Sequence, residues 1–248
     1  MMGQANRFAR LGTCVFLLVL PRLALAEDES GALWHIVHDQ CVAHAEQFGT
    51  PLPCTLVKQD AGYAILKDRR GIGQFLVIPT ARIAGIEDPA ILTPDAPNYW
   101  QPAWQATLLV EAMLDRVLPR DALSLTINSV HHRSQNQLHI HVDCLKAEVR
   151  NLLRSRGGAI GATWAPFPVA IGGRTYRAMR IQTLVQPGAT PFEALSLLPD
   201  ARVDMAAESL AVVGATFADG SAGFYLLETR SGPAEELQDH SCAVAGAR

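Results

Sequence analysis

The stretch QNQLHIHVDC, residues 135–144, places two of the chain's eight histidines one residue apart, with a glutamine two positions before the first. Side chains alternate between the two faces of a β-strand. In a strand, Gln137, His139 and His141 would therefore share one face, and the apolar residues between them would share the other. Buried polar side chains cost free energy unless each has a partner, so this polar row predicts a ligand.

Three interpretations of the polar row compete. In the first, the imidazoles make only internal hydrogen bonds. In the second, the two histidines bind a metal ion and Asp143, His131 or His132 completes the ligand set, although an HxH pattern alone indicates a metal weakly. In the third, one imidazole attacks phosphorus while its neighbours fix its tautomer and donate to the phosphoryl oxygens.

The residues that lead into the row favour phosphoryl chemistry. They supply amide, hydroxyl and guanidinium donors, which phosphate oxygens accept and a metal site has less use for. These donors are Asn128, Ser129, Arg133, Ser134 and Gln135, and all but Ser129 are predicted to bind the substrate phosphates. Turns of hairpins are also rich in Asn and Ser, so the cluster indicates a phosphate site and no single residue of it does.

The elements that would hold this row are a mixture of helices and strand pairs. Helices are predicted from apolar spacing over residues 32–44, 99–118 and 147–156. Strand pairs are predicted at residues 61–68 with 74–80, 122–129 with 137–144, and 209–217 with 223–230. Regular βαβ alternation is absent from this pattern, so we expect an α+β fold with a mainly antiparallel sheet and flanking helices.

The composition sets outer limits on the function. The 248 residues are 49% hydrophobic, which is enough for a substantial core in one large domain or two small ones. Lys and Arg number 21 against 24 Asp and Glu, giving a formal charge of -3. This balance provides no overall basic field to attract nucleic acid, so a nucleic-acid partner is not expected.

The first 26 residues have the pattern of a secretory signal. Arg7 and Arg10 precede an apolar run, and a small-residue motif ends at Ala26 before acidic residues. A membrane span needs roughly 20 apolar residues, and Pro21 and Arg22 interrupt this run early. We expect cleavage after Ala26, with an uncleaved anchor as the alternative, and therefore a protein exported to the periplasm or to the periplasmic face of the inner membrane.

Export would leave four cysteines, Cys41, Cys54, Cys144 and Cys242, in an oxidising compartment. Four cysteines allow three pairings. Cys41 and Cys54 enclose a short Pro-rich turn, so a local bridge between them is the simplest, and Cys144 would then pair with Cys242. Zinc binding is the competing hypothesis, but the chain has no CxxC spacing to support it.

Several stretches of the chain resemble one enzyme family. INSVHHRSQNQLHIHVDC is similar to the signature of the histidine-triad superfamily, in which histidines alternate with apolar residues on a strand. AGYAILKD, IPTARIAGIEDP, NYWQPAWQA, QNQLHIH and the terminal QDHSC are similar, in this order, to bacterial CDP-diacylglycerol pyrophosphatases, also called CDP-diglyceride hydrolases. The resemblance extends from about residue 30 to Cys242, nearly all of the chain after the signal.

The resemblance implies a histidine-triad-like fold over residues 27–248, stabilised by disulfides. It implies hydrolysis of CDP-diacylglycerol to CMP and phosphatidate at a membrane surface, without a cofactor. By analogy the central triad residue, His139, is the nucleophile and carries a nucleotidyl intermediate, while His141 is the third member. The first member is normally His and is Gln137 here.

Other features of the resemblance leave questions open. Galactose-1-phosphate uridylyltransferases depart from the triad at its third position instead of its first, so hydrolysis is favoured over transfer. Asp239 and His240 match the closing stretch of the family, and either a catalytic role or support of a disulfide fits them. A metal-dependent exported phosphoesterase and a non-catalytic carrier of nucleotide lipids remain the alternative functions.

Overall fold

The computed structural model describes residues 29–186 and 188–243, so the predicted signal of residues 1–26 lies outside the described residues. Within these ranges, nine strands form one sheet in the order β1-β2-β3-β5-β4-β8-β9-β7-β6. The strands are β1 (Leu56–Lys58), β2 (Tyr63–Lys67), β3 (Phe75–Pro79), β4 (Leu123–Ile127), β5 (Ile140–Cys144), β6 (Ala165–Pro166), β7 (Arg177–Ile181), β8 (Ser209–Thr216) and β9 (Ala222–Thr229). All neighbouring strands are antiparallel.

Helices flank this sheet, which confirms the predicted α+β fold. The pairs β2–β3, β4–β5 and β8–β9 confirm the three predicted strand pairs. The helices are α1 (Ala32–His35), α2 (Ala43–Phe48), α3 (Trp100–Gln105), α4 (Thr107–Leu114), α5 (Ala147–Arg156), α6 (Pro191–Ser196) and α7 (Pro199–Val203). Among the described residues, we find no helix with the length and apolar character needed to cross a bilayer.

The first helical segment, residues 32–48, consists of α1, a π-helical stretch (Ile36–Val42) and α2. Its buried side chains pack with those of β2 and β3 in one hydrophobic cluster that includes Leu33, Val37, Leu76 and Ile78. The Cys41–Cys54 disulfide lies in the same cluster, as predicted. Apolar packing and one local crosslink therefore hold this segment on the sheet.

Helices α3 and α4 cover the other face of the sheet. Trp100, Ala103 and Val110 belong to the same core cluster as Ile140 and Val142 of β5, so the apolar residues of the HIHVDC stretch face this layer. The single helix predicted over residues 99–118 breaks at Ala106 and ends at Leu114. At the break, the Thr107 hydroxyl donates to the Trp104 carbonyl at 2.7 Å, a local bond that competes with regular helix hydrogen bonding.

The C-terminal segment, residues 234–242, returns to the centre of the sheet. A short 3₁₀ turn (Ala234–Leu237) leads to Gln238, whose buried carboxamide bonds to Thr126, Ser124 and the His141 carbonyl. The Cys144–Cys242 disulfide, also as predicted, joins this segment to the end of β5. Residues almost a hundred positions apart in sequence are therefore neighbours beside the histidines.

Candidate active site

A cavity of about 770 Å³ opens beside the start of β5. One side, which we term the apolar wall, comprises Ala32, Leu33, Ile36, Pro53, Leu66 and Leu76. The other side, termed the polar floor, comprises Asn128, His139, His141 and Glu235. The cavity thus brings apolar surface and ionisable groups together in one space large enough for a small-molecule ligand.

His139 is held in one tautomer by its own backbone neighbourhood. Its Nδ1 lies 2.6 Å from the Gln137 carbonyl oxygen, and because a carbonyl only accepts, Nδ1 must donate. In the neutral ring, Nε2 then carries the lone pair. Burial lowers the pKa of His139, although the bond to Gln137 opposes the shift, so the ring is neutral at pH 7. A buried, neutral and oriented imidazole is suited to attack an electrophile.

His141 lies against His139, with ring centroids 4.8 Å apart. Gln74 Nε2 donates to His141 Nδ1 at 3.0 Å and to Glu235 Oε1 at 3.3 Å, so Nδ1 is an acceptor and the ring proton lies on Nε2. Burial, followed by the charge of His139, lowers the pKa of His141 to about 3. Its Nε2 is buried and has no hydrogen-bond partner in the described chain, which leaves it as a donor for a bound ligand.

Glu235 provides the negative charge that orients Gln74. Burial alone would raise the pKa of Glu235, but hydrogen bonds from His240, Gln74 and Asn128 and the charge of His141 hold the pKa well below its usual range. Asn128 binds both the side chain and the backbone of this residue: Nδ2 donates to Glu235 Oε2, and Oδ1 accepts from Glu235 N, each at 3.1 Å. The carboxylate is therefore ionised and fixed.

His240 lies behind the floor between two carboxylates. Its Nδ1 is 2.8 Å from Asp143 Oδ2 and its Nε2 is 3.4 Å from Glu235 Oε1. The bond to Asp143, then that to Glu235, raises the pKa of His240 to about 9. Burial raises the pKa of Asp143, whereas His240 opposes that shift. The pattern at neutral pH is a charged His240 beside two neutral imidazoles, so His240 supports the floor electrostatically.

The predicted catalytic residue Gln137 is separated from this group. Strand β5 begins at Ile140 instead of residue 137, because Asn136 N and Leu138 N donate to the carbonyls of Ser30 and Ile83 outside the sheet. Gln137 is fully buried, and its Nε2 donates to the carbonyls of Pro79 and Ala81. It is absent from the cavity lining, and the hydrogen bond between the two residues joins His139 Nδ1 to the Gln137 backbone carbonyl.

The four predicted phosphate-binding residues all line the cavity, but most already have partners. The guanidinium of Arg133 forms two bonds to Glu87, at 2.5 and 2.6 Å. Gln135 binds the first helical segment by accepting from Leu33 N, and Asn128 holds Glu235. Ser134 is exposed. Phosphate binding by these residues stays a prediction, and for Arg133 it requires sharing the guanidinium with Glu87.

Three cations that no sequence pattern indicated, Lys67, Arg69 and Arg70, line the cavity on the β2–β3 hairpin. Arg69 and Arg70 are exposed and have no ion-pair partner among the described residues. Gly71, at φ +64°, brings this hairpin against the C-terminal segment, since a Cβ there would lie 2.8 Å from the His240 carbonyl oxygen. In the sequence, these arginines lie in the RRGIG stretch between the strands predicted at residues 61–68 and 74–80, and guanidinium groups are frequent ligands of phosphate.

The metal hypothesis required Asp143 or a nearby histidine to join His139 and His141. In the described chain, Asp143 is bound to His240 and to Cys144 N. The one group of three metal-ligand residue types found close together there is Asp143, Cys144 and Cys242. Its two sulfur atoms are joined to each other, whereas metals are bound by free thiolates.

Comparisons with known proteins agree with one another. The chain matches the family described as CDP-diacylglycerol pyrophosphatase over residues 28–246. It is similar to a protein of Yersinia pestis named CDP-diacylglycerol pyrophosphatase, with 39% identity over 257 aligned residues. That alignment covers 98% of this chain and 97% of the relative, so the similarity extends over nearly the full length of both chains.

Proposed function

Because this chain belongs to the CDP-diacylglycerol pyrophosphatase family and is a hydrolase, we propose that it cleaves CDP-diacylglycerol to CMP and phosphatidate through a nucleotidyl adduct on His139. The observation that carries this mechanism is the 2.6 Å bond from His139 Nδ1 to the Gln137 carbonyl. It leaves the Nε2 lone pair free without a separate base to remove a proton.

In the first step, His139 Nε2 attacks the phosphorus nearer the cytidine. A P–N bond forms, the bond from this phosphorus to the bridging oxygen breaks, and phosphatidate leaves with that oxygen. Phosphatidate is a stabilised anion, so its departure needs no strong acid. The Gln137 carbonyl accepts from the imidazolium that forms, and His141 Nε2–H donates to a phosphoryl oxygen whose negative charge grows.

In the second step, water attacks the same phosphorus. A new P–O bond forms, the P–N bond breaks, and the His139 ring leaves as neutral imidazole while the water proton passes to solvent. The products are CMP and the original neutral enzyme. The lowered pKa of His139 supports this step, because a weakly basic imidazole is a better leaving group.

Substrate binding is divided between the two sides of the cavity. The pyrophosphate carries two negative charges, which Arg69 and Arg70 balance with guanidinium groups that have no ion-pair partner in the described chain. The apolar wall faces the glycerol and the first part of the acyl chains. A substrate with a lipid tail also fits the proposed location, an exported protein at a membrane surface. The signal pattern of residues 1–26 and the two disulfides support export.

Hydrolysis in oxygen-18 water tests the mechanism. Attack of water on the adduct places the label in CMP and leaves phosphatidate unlabelled, and quenching at alkaline pH preserves a phosphoramidate on His139 for mass spectrometry. Label in phosphatidate would refute attack at the cytidine-side phosphorus. Label in CMP without any adduct would make His139 a general base.

Two further measurements address the alternative functions. Activity that survives exhaustive chelation excludes a metal-dependent phosphoesterase, and loss of activity that added metal restores would favour it. A carrier without catalytic activity would bind CDP-diacylglycerol and release no CMP.

A further inference from the structure

A second cavity, of about 500 Å³, lies on the same face of the sheet as His141. His141 pairs with Thr126 near the end of β4, whereas this cavity lies near the start of β4. We term it the arginine cavity, because its lining includes Arg120, Arg150, Arg154 and Arg180 together with Asp121. Phe217 and Tyr225 complete its aromatic side. Neither the proposed reaction nor any motif in the sequence analysis uses these residues.

The charges of the arginine cavity do not balance. Four guanidinium groups face one carboxylate, which leaves three net positive charges. Asp121 accepts from Arg150 at 2.8 Å and from Arg154 at 2.5 Å. Hydrogen bonds from Ser221 are the main cause that lowers the pKa of Asp219, and the charge of Arg180 contributes to the same shift. Asp219 nevertheless forms no ion pair with Arg180 in the described chain.

One of the four arginines has a structural role. Arg120 donates to the Gly223 carbonyl, and its guanidinium stacks between the rings of Trp104 and Phe224. This sandwich joins helix α3 to the sheet. The remaining donors therefore belong to Arg150, Arg154 and Arg180.

Several of those donors lack a partner in the described chain. Arg150 Nε is buried and unbonded, and Arg154 uses only Nε in its bond to Asp121. Arg180 has no carboxylate partner, and its guanidinium lies 5.2 Å from the centroid of the Phe217 ring. A buried N–H without a partner is unfavourable, and guanidinium groups in excess over carboxylates are the usual means of binding phosphate.

The base of the arginine cavity is shaped around the Tyr225 hydroxyl. A Cβ at Gly157 would lie 2.4 Å from the Tyr225 hydroxyl oxygen, so glycine is needed for the Tyr225 ring to reach its position. This hydroxyl has no hydrogen bond within the described chain. Burial raises the pKa of Tyr225, and the charge of the nearby Arg180 opposes this rise. It adds an uncharged donor to the three guanidinium groups.

We propose that the arginine cavity is a second, non-catalytic binding site for a phosphomonoester. A phosphomonoester carries nearly two negative charges and three accepting oxygens, which match the unpartnered donors of Arg150, Arg154 and Arg180. Its organic part contacts Phe217 and Tyr225. CMP and phosphatidate, the two products of the proposed reaction, both belong to this chemical class, and so does a free phosphate ester from another source.

Calorimetric titration with CMP and with inorganic phosphate tests the soluble form of this ligand. The Arg154→Ala/Arg180→Ala variant changes two exposed side chains, so the fold is retained, and Arg202→Ala removes an exposed arginine that is not among the lining residues. We expect one binding event per chain to weaken by at least about tenfold in the double variant and to persist in the control. Hydrolysis of CDP-diacylglycerol is unchanged in both.

Sedimentation with phosphatidylcholine vesicles tests the lipid form. One set contains phosphatidate and the other phosphatidylglycerol, which is anionic but a phosphodiester. If the protein prefers phosphatidate vesicles and the double variant loses this preference, the site exists and its ligand comes from the membrane. If the double variant instead loses binding of CMP or phosphate, the site exists and its ligand is soluble. If the vesicles show no preference for phosphatidate and the double variant also keeps every binding event for CMP and for phosphate, a phosphomonoester site is refuted. Gly157→Ala, which displaces Tyr225 without removing charge, must weaken the same binding event.

Discussion

The apolar wall and the polar floor face the same cavity, and one disulfide crosslinks each of them. Different interactions stabilise the two sides. The wall follows from the packing of a helical segment on two neighbouring strands, and its bridge joins residues only 13 positions apart. The floor is a network of charged and polar groups, and its bridge joins residues 98 positions apart. Packing tolerates changes of shape, whereas a buried polar network fails when one member is lost. We therefore expect substitutions in the wall to alter binding and substitutions in the floor to alter chemistry.

The largest effect is expected at His139, the proposed nucleophile. His139→Ala should lower kcat by about 10⁴-fold or more, as removal of an attacking group does in other covalent enzymes, and circular dichroism of the variant checks that the fold is retained. His38→Ala, which removes an exposed histidine of the first helical segment, is the matched control and should retain full activity. More than a tenth of the normal rate in His139→Ala would show that another group attacks.

The two disulfides offer the sharpest contrast between the two sides. Cys144→Ala/Cys242→Ala should lower the free energy of unfolding by roughly 4 to 5 kcal/mol, against about 3 kcal/mol for Cys41→Ala/Cys54→Ala, because the longer loop constrains the unfolded chain more. The first variant should also lose kcat, since His240 is no longer held beside Asp143. Denaturant unfolding and initial rates measure both quantities. Equal losses of kcat in the two variants would contradict the expectation that only the floor affects the chemistry.

A single lost donor in the floor should have a smaller effect. His141→Ala removes the unpartnered Nε2–H, and loss of one such donor typically costs about 100- to 1000-fold in kcat. Gln137→Ala leaves the backbone carbonyl that binds His139 in place, so its effect on kcat should be weaker than that of His141→Ala. Rates of the two variants at saturating substrate decide the order, and a more severe Gln137 defect would restore that side chain to a direct role.

The charge of His240 predicts how stability depends on pH. Its pKa is 6.5 in the unfolded chain and about 9 in the fold, so the protonated ring stabilises the folded protein. This contribution is complete below pH 6.5 and is lost as the pH rises through about 9. After a discount for solvent screening of a ring that is 35% exposed, we expect a loss of about 1 to 2 kcal/mol. Unfolding of His240→Asn, measured between pH 6 and 10, should lack this component, and an unchanged profile would contradict the assignment.

The smallest effect is expected in the wall. Ile36 is partly buried and lines the cavity, so Ile36→Ala should raise KM for CDP-diacylglycerol by about five- to tenfold through lost apolar contact. The variant should leave kcat unchanged. CDP-glycerol, which lacks acyl chains, is the control substrate and should be hydrolysed equally by both proteins. A fall in kcat with this substrate would assign the wall a part in the chemistry.

The features that local sequence patterns determine were predicted well. Alternation of His139 and His141 with apolar residues indicated one polar face of a strand, and the two β-rich runs at residues 209–217 and 223–230 indicated the β8–β9 pair. Even the pairing of Cys144 with Cys242 followed from the proximity of the other two cysteines in the sequence. In each case the pattern lies within a few residues or follows by elimination.

The partners of the site residues were not predictable in the same way. Arg133 looked like a free phosphate ligand because Glu87, its ion-pair partner, is 46 residues away. Glu235 gave no signal, since its role arises only when the C-terminal segment meets Asn128 and Gln74. Gln137 was placed by strand alternation, but the backbone of the preceding and following residues bonds to other loops. Long-range pairing of polar groups therefore limits what a single sequence reveals.

The position of the C-terminal segment also suggests an order in which the cavity is completed as the chain folds. The part of the chain that ends at Thr229 contains all nine strands of the described sheet together with His139 and His141, yet lacks Glu235, His240 and Cys242. Gln74 would then have no carboxylate to orient it, and the ring proton of His141 would be free to occupy either nitrogen. The sheet can form before the chemistry is possible. We therefore expect activity only after the C-terminal segment has docked beside Asn128 and Gln74.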